Sequence, residues 1–217
     1  MDYETARDSA NKVYNDDLKK RDISGYKLVK SLSNDENSVY VNKDETDVIY
    51  AQRGSHTAKD WIYDDVRLGA DELTDIFERN TGIPIRKAGD KVFLPKRERR
   101  EKTNKLYIKI KNMFPNANIH LTGHSLASSL TKHILHKHDD KNIRGYGFNS
   151  APHRDFENKI KEKYDYRYIP YRSKSNIGTG DIVSSLHDAY YPNVREIKTK
   201  KKFHKDPFSL HLMDNFY

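Results

Sequence analysis

One stretch, Ile119-His120-Leu121-Thr122-Gly123-His124-Ser125-Leu126-Ala127, constrains this chain more than any other. It reads as a strand that turns sharply at a serine and runs on as a helix. Ile119 and Leu121 alternate with polar residues, the period-two pattern of a half-buried strand. Beyond the serine, Leu126, Leu130 and Ile134 recur every four residues with Ala127 beside them, which gives a helix one apolar face. A serine at such a junction sits at a helix N-terminus, where the dipole and unpaired N–H groups favour negative charge. The pattern is that of a nucleophile elbow, usually Gly-x-Ser-x-Gly and here Gly-His-Ser-Leu-Ala. Gly123 and Ala127 are small because neighbouring backbone passes close to both. An N-cap serine leaves a similar trace, so the strand and helix on either side carry the reading.

The rest of the chain alternates in the same manner. Tyr3, Ala6, Ala10, Val13, Tyr14 and Leu18 are spaced as an N-terminal helix, within about residues 1–22. Ser38 to Asn42 and Asp47 to Arg53 are β-rich runs parted by Lys43-Asp44-Glu45-Thr46, a hairpin pattern. Leu73, Ile76 and Phe77 mark a further helix, followed by loop around Gly82-Ile83-Pro84 and Lys87-Ala88-Gly89-Asp90. Leu106, Ile110, Met113 and Phe114 form the stripe of the helix before the elbow strand, which stops near Pro115-Asn116. Such alternation predicts an α/β fold, a central mostly parallel sheet flanked by helices, within a compact single domain over residues 1–217.

Four blocks then agree with one another. Thr122 to Leu126 resembles the Thr-Gly-His-Ser-Leu core of the lipase class 3 family, the fungal triacylglycerol lipase-like α/β-hydrolases. Val48 to Ser55 followed by Asp60-Trp61 is similar to that family's strand, Arg-Gly-Ser/Thr and Asp-Trp signature. Tyr146 to Pro152 resembles its strand ending in a small-residue-Pro turn, and Gly180-Asp181-Ile182-Val183 its Asp-Pro-Val acid segment. All four stand in family order. The chain departs from the family at Ala127 and at Ile182, where glycine and proline are usual. The resemblance implies an α/β-hydrolase fold and a serine ester hydrolase.

Serine acyl transfer needs a base within reach and an acid to orient it, in the chain order Ser, Asp, His. The resemblance makes Ser125 the nucleophile. Asp181 is its acid, after a strand around Tyr166 to Tyr171 and a Gly-Thr-Gly turn. Three histidines follow Asp181. His187 is too near it in sequence to come from a separate loop, and His204 lies in the basic run Lys198 to Lys205. His211, with apolar neighbours and an aromatic residue a few positions on, resembles the family's C-terminal base; His204 is the alternative. The oxyanion donors are the N–H of Leu126 and, by the resemblance, Ser55. His124 is expected to face packing rather than chemistry. Such a triad calls for no cofactor or metal.

Composition sets the surroundings. A chain of 217 residues can bury a sizeable core, yet its mean hydropathy is −0.98 and only 35% of it is hydrophobic, so the surface must be heavily charged. There is no cysteine, the N-terminus is acidic rather than signal-like, and no apolar run approaches the ~20 residues of a membrane span. These features lead to the expectation of a soluble, intracellular protein. The net charge of +8 concentrates in Lys96 to Lys102 and Lys198 to Lys202. Peripheral contact with an anionic membrane surface suits an ester hydrolase better than nucleic acid, for which no motif is present. Ile62-Tyr63-Asp64-Asp65-Val66-Arg67, where the family's apolar lid begins, is acidic, which argues against interfacial activation on long triglycerides. A lipid or small carboxylic ester is the expected substrate. A catalytically silent fold used as a basic binding module is the other reading.

Overall fold

The structure, a computed structural model, describes residues 1–54, 97–150, 167–174, 194–199 and 213–216. Among these residues, seven strands form one sheet in sequence order: β1 (Tyr26–Leu28), β2 (Asn37–Asn42), β3 (Asp47–Gln52), β4 (Asn118–His124), β5 (Ile143–Phe148), β6 (Tyr168–Lys174) and β7 (Arg195–Lys198). β1 to β3 pair antiparallel and β3 to β7 parallel. The expected hairpin is β2–β3. Asn42 closes it, its side chain accepting the Asp47 N–H at 2.9 Å and donating to Thr46 Oγ1 at 2.9 Å.

Among the described residues, three helices cover the sheet: α1 (Tyr3–Lys12), α2 (Arg97–Met113) and α3 (Leu126–Lys137). Their apolar stripes divide its faces. Tyr107 and Ile110 of α2, Phe114 just after it, and Ile134 and Leu135 of α3 pack with Val48, Tyr50, Ile119, Leu121 and Ile143. On the opposite face Ala6 and Ala10 of α1 meet Tyr146, Phe148 and Tyr171, and Val13 meets Ile49 and Ala51. β3 shows the strand period directly: Val48 and Tyr50 point to one face, Ile49 and Ala51 to the other.

Several expectations are revised. The N-terminal helix ends at Lys12, and Leu18–Lys20 forms a separate 3₁₀ turn. Side chains divert the backbone there: Asn15 accepts the Asp17 N–H at 3.0 Å and Asp17 the Lys19 N–H at 2.9 Å. Met113 is not in the core but 47% exposed; Tyr107, fully inside, takes its place in the stripe. β4 is buried on both sides, not half-buried, because α1 lies over its polar face, where Ser9 Oγ meets Thr122 Oγ1 at 3.1 Å. α3 likewise buries polar residues beside its apolar stripe, among them Ser128, Thr131 and Lys132. Among the described residues no helix is long and apolar enough to cross a membrane.

Candidate active site

β4 delivers its last residue, His124, to the carboxyl edge of the sheet, and α3 starts at Leu126. Ser125 alone makes the turn, with φ 56° and ψ −126°. An N-cap serine takes extended dihedrals and caps its helix with its hydroxyl. Ser125 does neither, since its side chain makes no capping hydrogen bond. Backbone bonds hold it in place instead. Its N–H donates to the Phe148 carbonyl of β5 at 3.0 Å, and its own carbonyl accepts the Ser128 N–H at 3.0 Å. A non-glycine residue in this region costs about 1–3 kcal/mol, so surrounding structure must impose it.

The small neighbours explain how the turn closes. A Cβ on Gly123 would stand 2.6 Å from the Ala127 carbonyl carbon and 2.7 Å from its oxygen. No side chain fits between β4 and the first turn of α3. Ala127 is fully buried there, and Ser128 Oγ ties the same turn to the Gly123 carbonyl at 2.9 Å. Leu126, at the first helical position, carries one of the N–H groups a helix leaves without an internal acceptor.

The neighbouring strands end beside this turn. Gln52 of β3 stands opposite Gly123, so Arg53 and Gly54 leave the sheet next to the elbow. The approach is close: a Cβ on Gly54 would lie 2.9 Å from the His124 carbonyl oxygen. On the other side Phe148 of β5 stands opposite His124. Asn149 then turns with φ 42°, and its side chain reaches the end of β6, accepting the Ser173 N–H at 2.8 Å and donating to Ser173 Oγ at 3.1 Å. Crevices at the carboxyl edge of parallel strands are where α/β sheets bind ligands. A cavity of about 250 Å³ opens beside the end of β3, walled by Asn34, Glu36, Gln52, Arg99, Thr103 and Leu130.

His124 turns away from the edge. Its ring is buried, packs edge-on to Tyr14 with centroids 5.9 Å apart, and brings Nδ1 to 3.2 Å from the Tyr14 hydroxyl. That hydroxyl also accepts the Gly54 N–H at 2.9 Å. The helical spacing of Tyr14 gives it a packing role and no hint of these two partners, 40 and 110 residues away. The Asn149–Ser173 link was equally invisible in the sequence. Of the expected site residues, Ser125 and Leu126 are adjacent at the elbow. Ser55, Asp181, His187, His204 and His211 lie outside the described residues, as do Asp60-Trp61, residues 62–67, the helix around Leu73 and most of the second basic segment.

No family model and no curated protein matches the sequence. Solved structures do match in shape. Lip2 lipase from Yarrowia lipolytica superposes with a TM-score of 0.56 at 14% identity, over 96% of this chain and 81% of that one. Lipase II from Rhizopus niveus gives 0.55 at 15%, over 86% and 74%. A triacylglycerol lipase from Penicillium expansum gives 0.50 at 16%, over 92% and 79%. With its mostly parallel sheet and the sharp serine turn between β4 and α3, the chain has an α/β-hydrolase fold, as these fungal lipases do.

Proposed function

We propose that this chain is a serine ester hydrolase acting on lipid or small carboxylic esters. The conformation of Ser125 carries the reading: φ 56° and ψ −126° at a strand–helix junction, in a side chain that does not cap its helix. Strain of that kind persists where function requires it. In this reading Ser125 Oγ attacks the ester carbonyl carbon while a histidine takes its proton. The alkoxide leaves with that proton, and water then hydrolyses the acyl-enzyme by the same route in reverse. His211 is the base, with His204 the alternative, and Asp181 orients it. The N–H of Leu126 and Ser55 stabilise the oxyanion; one such donor contributes roughly 3 kcal/mol. The lipase neighbours supply the substrate class, and the fold they share supports it.

The test is labelling by a fluorophosphonate, which requires an activated serine and no knowledge of substrate. The wild-type chain is expected to label and to hydrolyse short p-nitrophenyl esters. Ser125→Ala is expected to do neither while keeping its fold by circular dichroism. An unlabelled wild type, or a labelled Ser125→Ala, overturns the assignment and leaves a basic binding module on a silent fold.

A further inference from the structure

We infer, on the esterase reading above, that Tyr14 is a positioning residue whose hydroxyl sets where the loop after β3 stands relative to the nucleophile elbow. The peptide unit between Arg53 and Gly54 is held at both of its polar ends. Its N–H donates to the Tyr14 hydroxyl at 2.9 Å, and its carbonyl, that of Arg53, accepts from the Arg99 guanidinium of α2. A planar peptide anchored on opposite sides cannot rock about its long axis. Ser55 is the next residue in the chain, so only the two dihedrals of Gly54 separate this held peptide from the donor that the esterase reading assigns to Ser55. Oxyanion donors act only when aimed at the position the developing charge will occupy.

The same oxygen reaches the other half of the site. It lies 3.2 Å from Nδ1 of His124, the residue immediately before the nucleophile. When His124 carries its ring hydrogen on Nε2, its Nδ1 accepts from the Tyr14 hydroxyl. One hydroxyl thereby spans the donor loop and the elbow, although Tyr14 belongs to neither. The fit is tight. A Cβ on Gly54 would stand 2.4 Å from the hydroxyl oxygen, so glycine is required for the contact to form. Tyr14 is itself held from the same side: the Arg53 guanidinium lies over its ring at 5.5 Å and pairs with Asp16, two residues on, at 2.7 Å. The segment after α1 thus acts as a gauge between two loops that must meet across the sheet edge.

Tyr14→Phe tests this by removing one oxygen and keeping the ring. Active sites are first counted by fluorophosphonate titration, so kcat refers to labelled serine only. On a soluble p-nitrophenyl ester kcat is expected to fall about ten- to a hundredfold, with KM within about twofold and the melting midpoint within a few degrees. A purely structural role would lower the labelled fraction and the midpoint and leave kcat per site unchanged; that result overturns the proposal. If Tyr14→Phe does not fold, Gly54→Ala presses on the same contact, and kcat per site equal to wild type in that variant overturns it too. A wild type that neither labels nor hydrolyses overturns the esterase reading instead, and Tyr14 loses its role with it.

Discussion

The two ends of β4 each present a histidine to the α1 face, and different chemistry holds them. At the N-terminal end His120 Nε2 meets the Asp47 carboxylate at 2.8 Å, and the backbone around it is regular strand. At the carboxyl end His124 Nδ1 meets the Tyr14 hydroxyl at 3.2 Å, beside positive φ angles at Ser125 and Asn149. One end sets a carboxylate against its histidine in relaxed strand; the other sets a hydroxyl against its histidine beside strained turns. A fixed carboxylate close to a developing oxyanion would raise its energy, whereas a hydroxyl adds direction without charge. The neutral partner therefore belongs at the end where we place the chemistry, and the charged one at the end that only has to hold.

The sharpest way to break this contrast is to relax the strained end. Ser125→Gly and Ser125→Ala should both lose hydrolysis, by as much as about a millionfold in kcat if Ser125 is the nucleophile. They should differ in stability. Glycine accepts φ 56° without penalty, so the glycine variant is expected to be about 1–2 kcal/mol more stable than the alanine variant by urea denaturation. Equal stabilities would mean that the turn stores no strain.

The carboxylate end should respond to pH and leave turnover alone. Burial pushes the His120 ring below its ordinary value, and the Asp47 carboxylate only partly offsets this. Burial also pushes Asp47 up, but the hydrogen bond from His120, its charge and the Thr46 hydroxyl outweigh it and hold the carboxyl below its ordinary value. Both groups then bind fewer protons folded than unfolded, so both lose stability as pH falls: His120 from about pH 6.5 downward, Asp47 below about pH 4. His120→Ala is expected to cost about 1–3 kcal/mol at pH 7. The gap to wild type should narrow between pH 7 and pH 5, with kcat per labelled site unchanged. A gap that widens in acid, or a loss of turnover, would erase the distinction between the two ends.

The contrast also shows what the sequence makes legible. The elbow was readable because it is local: nine consecutive residues, 119 to 127, hold the strand, the turn and the helix start. The β2–β3 hairpin was readable for the same reason, and the parallel order of the sheet follows from the alternation of strands and helices. Periodicity is blind to what lies on top. His120, Thr122 and His124 look like the wet side of a half-buried strand, and only the placement of α1 buries them. Met113 looks more apolar than Tyr107, yet Tyr107 goes inside because its hydroxyl finds Asp140, 33 residues on. β1, with three residues, and β7, with four, are too short to show a period at all. Of the proposed site, the turn at Ser125 and Leu126 was legible in the sequence, whereas Ser55, Asp181 and His211 rest on family resemblance. The contacts of Tyr14 were not legible because its partners are remote in sequence.

The smallest expected effect concerns the surface. If catalysis belongs to the carboxyl edge of the sheet, basic side chains elsewhere can change only how often the enzyme meets an anionic interface. The outer side of α2 exposes Lys105 and Lys109 on either side of Ile108, which is 43% exposed, and Lys200, Lys201 and Lys202 form the second basic segment. Each lysine near an anionic leaflet contributes about 1 kcal/mol of attraction, screened beyond about 8 Å at physiological salt. The protein should therefore sediment with phosphatidylserine-containing vesicles, not with neutral ones, and release as salt rises. Replacing Lys200, Lys201 and Lys202 by glutamine should weaken that binding, as should replacing Lys105 and Lys109. Neither set should alter kcat on a soluble ester, because neither contributes to the elbow or the triad. Equal binding to neutral vesicles would show that the charge serves solubility alone. A fall in soluble-ester turnover would show that the surface and the carboxyl edge are not independent, and the separation drawn along β4 would have to be redrawn.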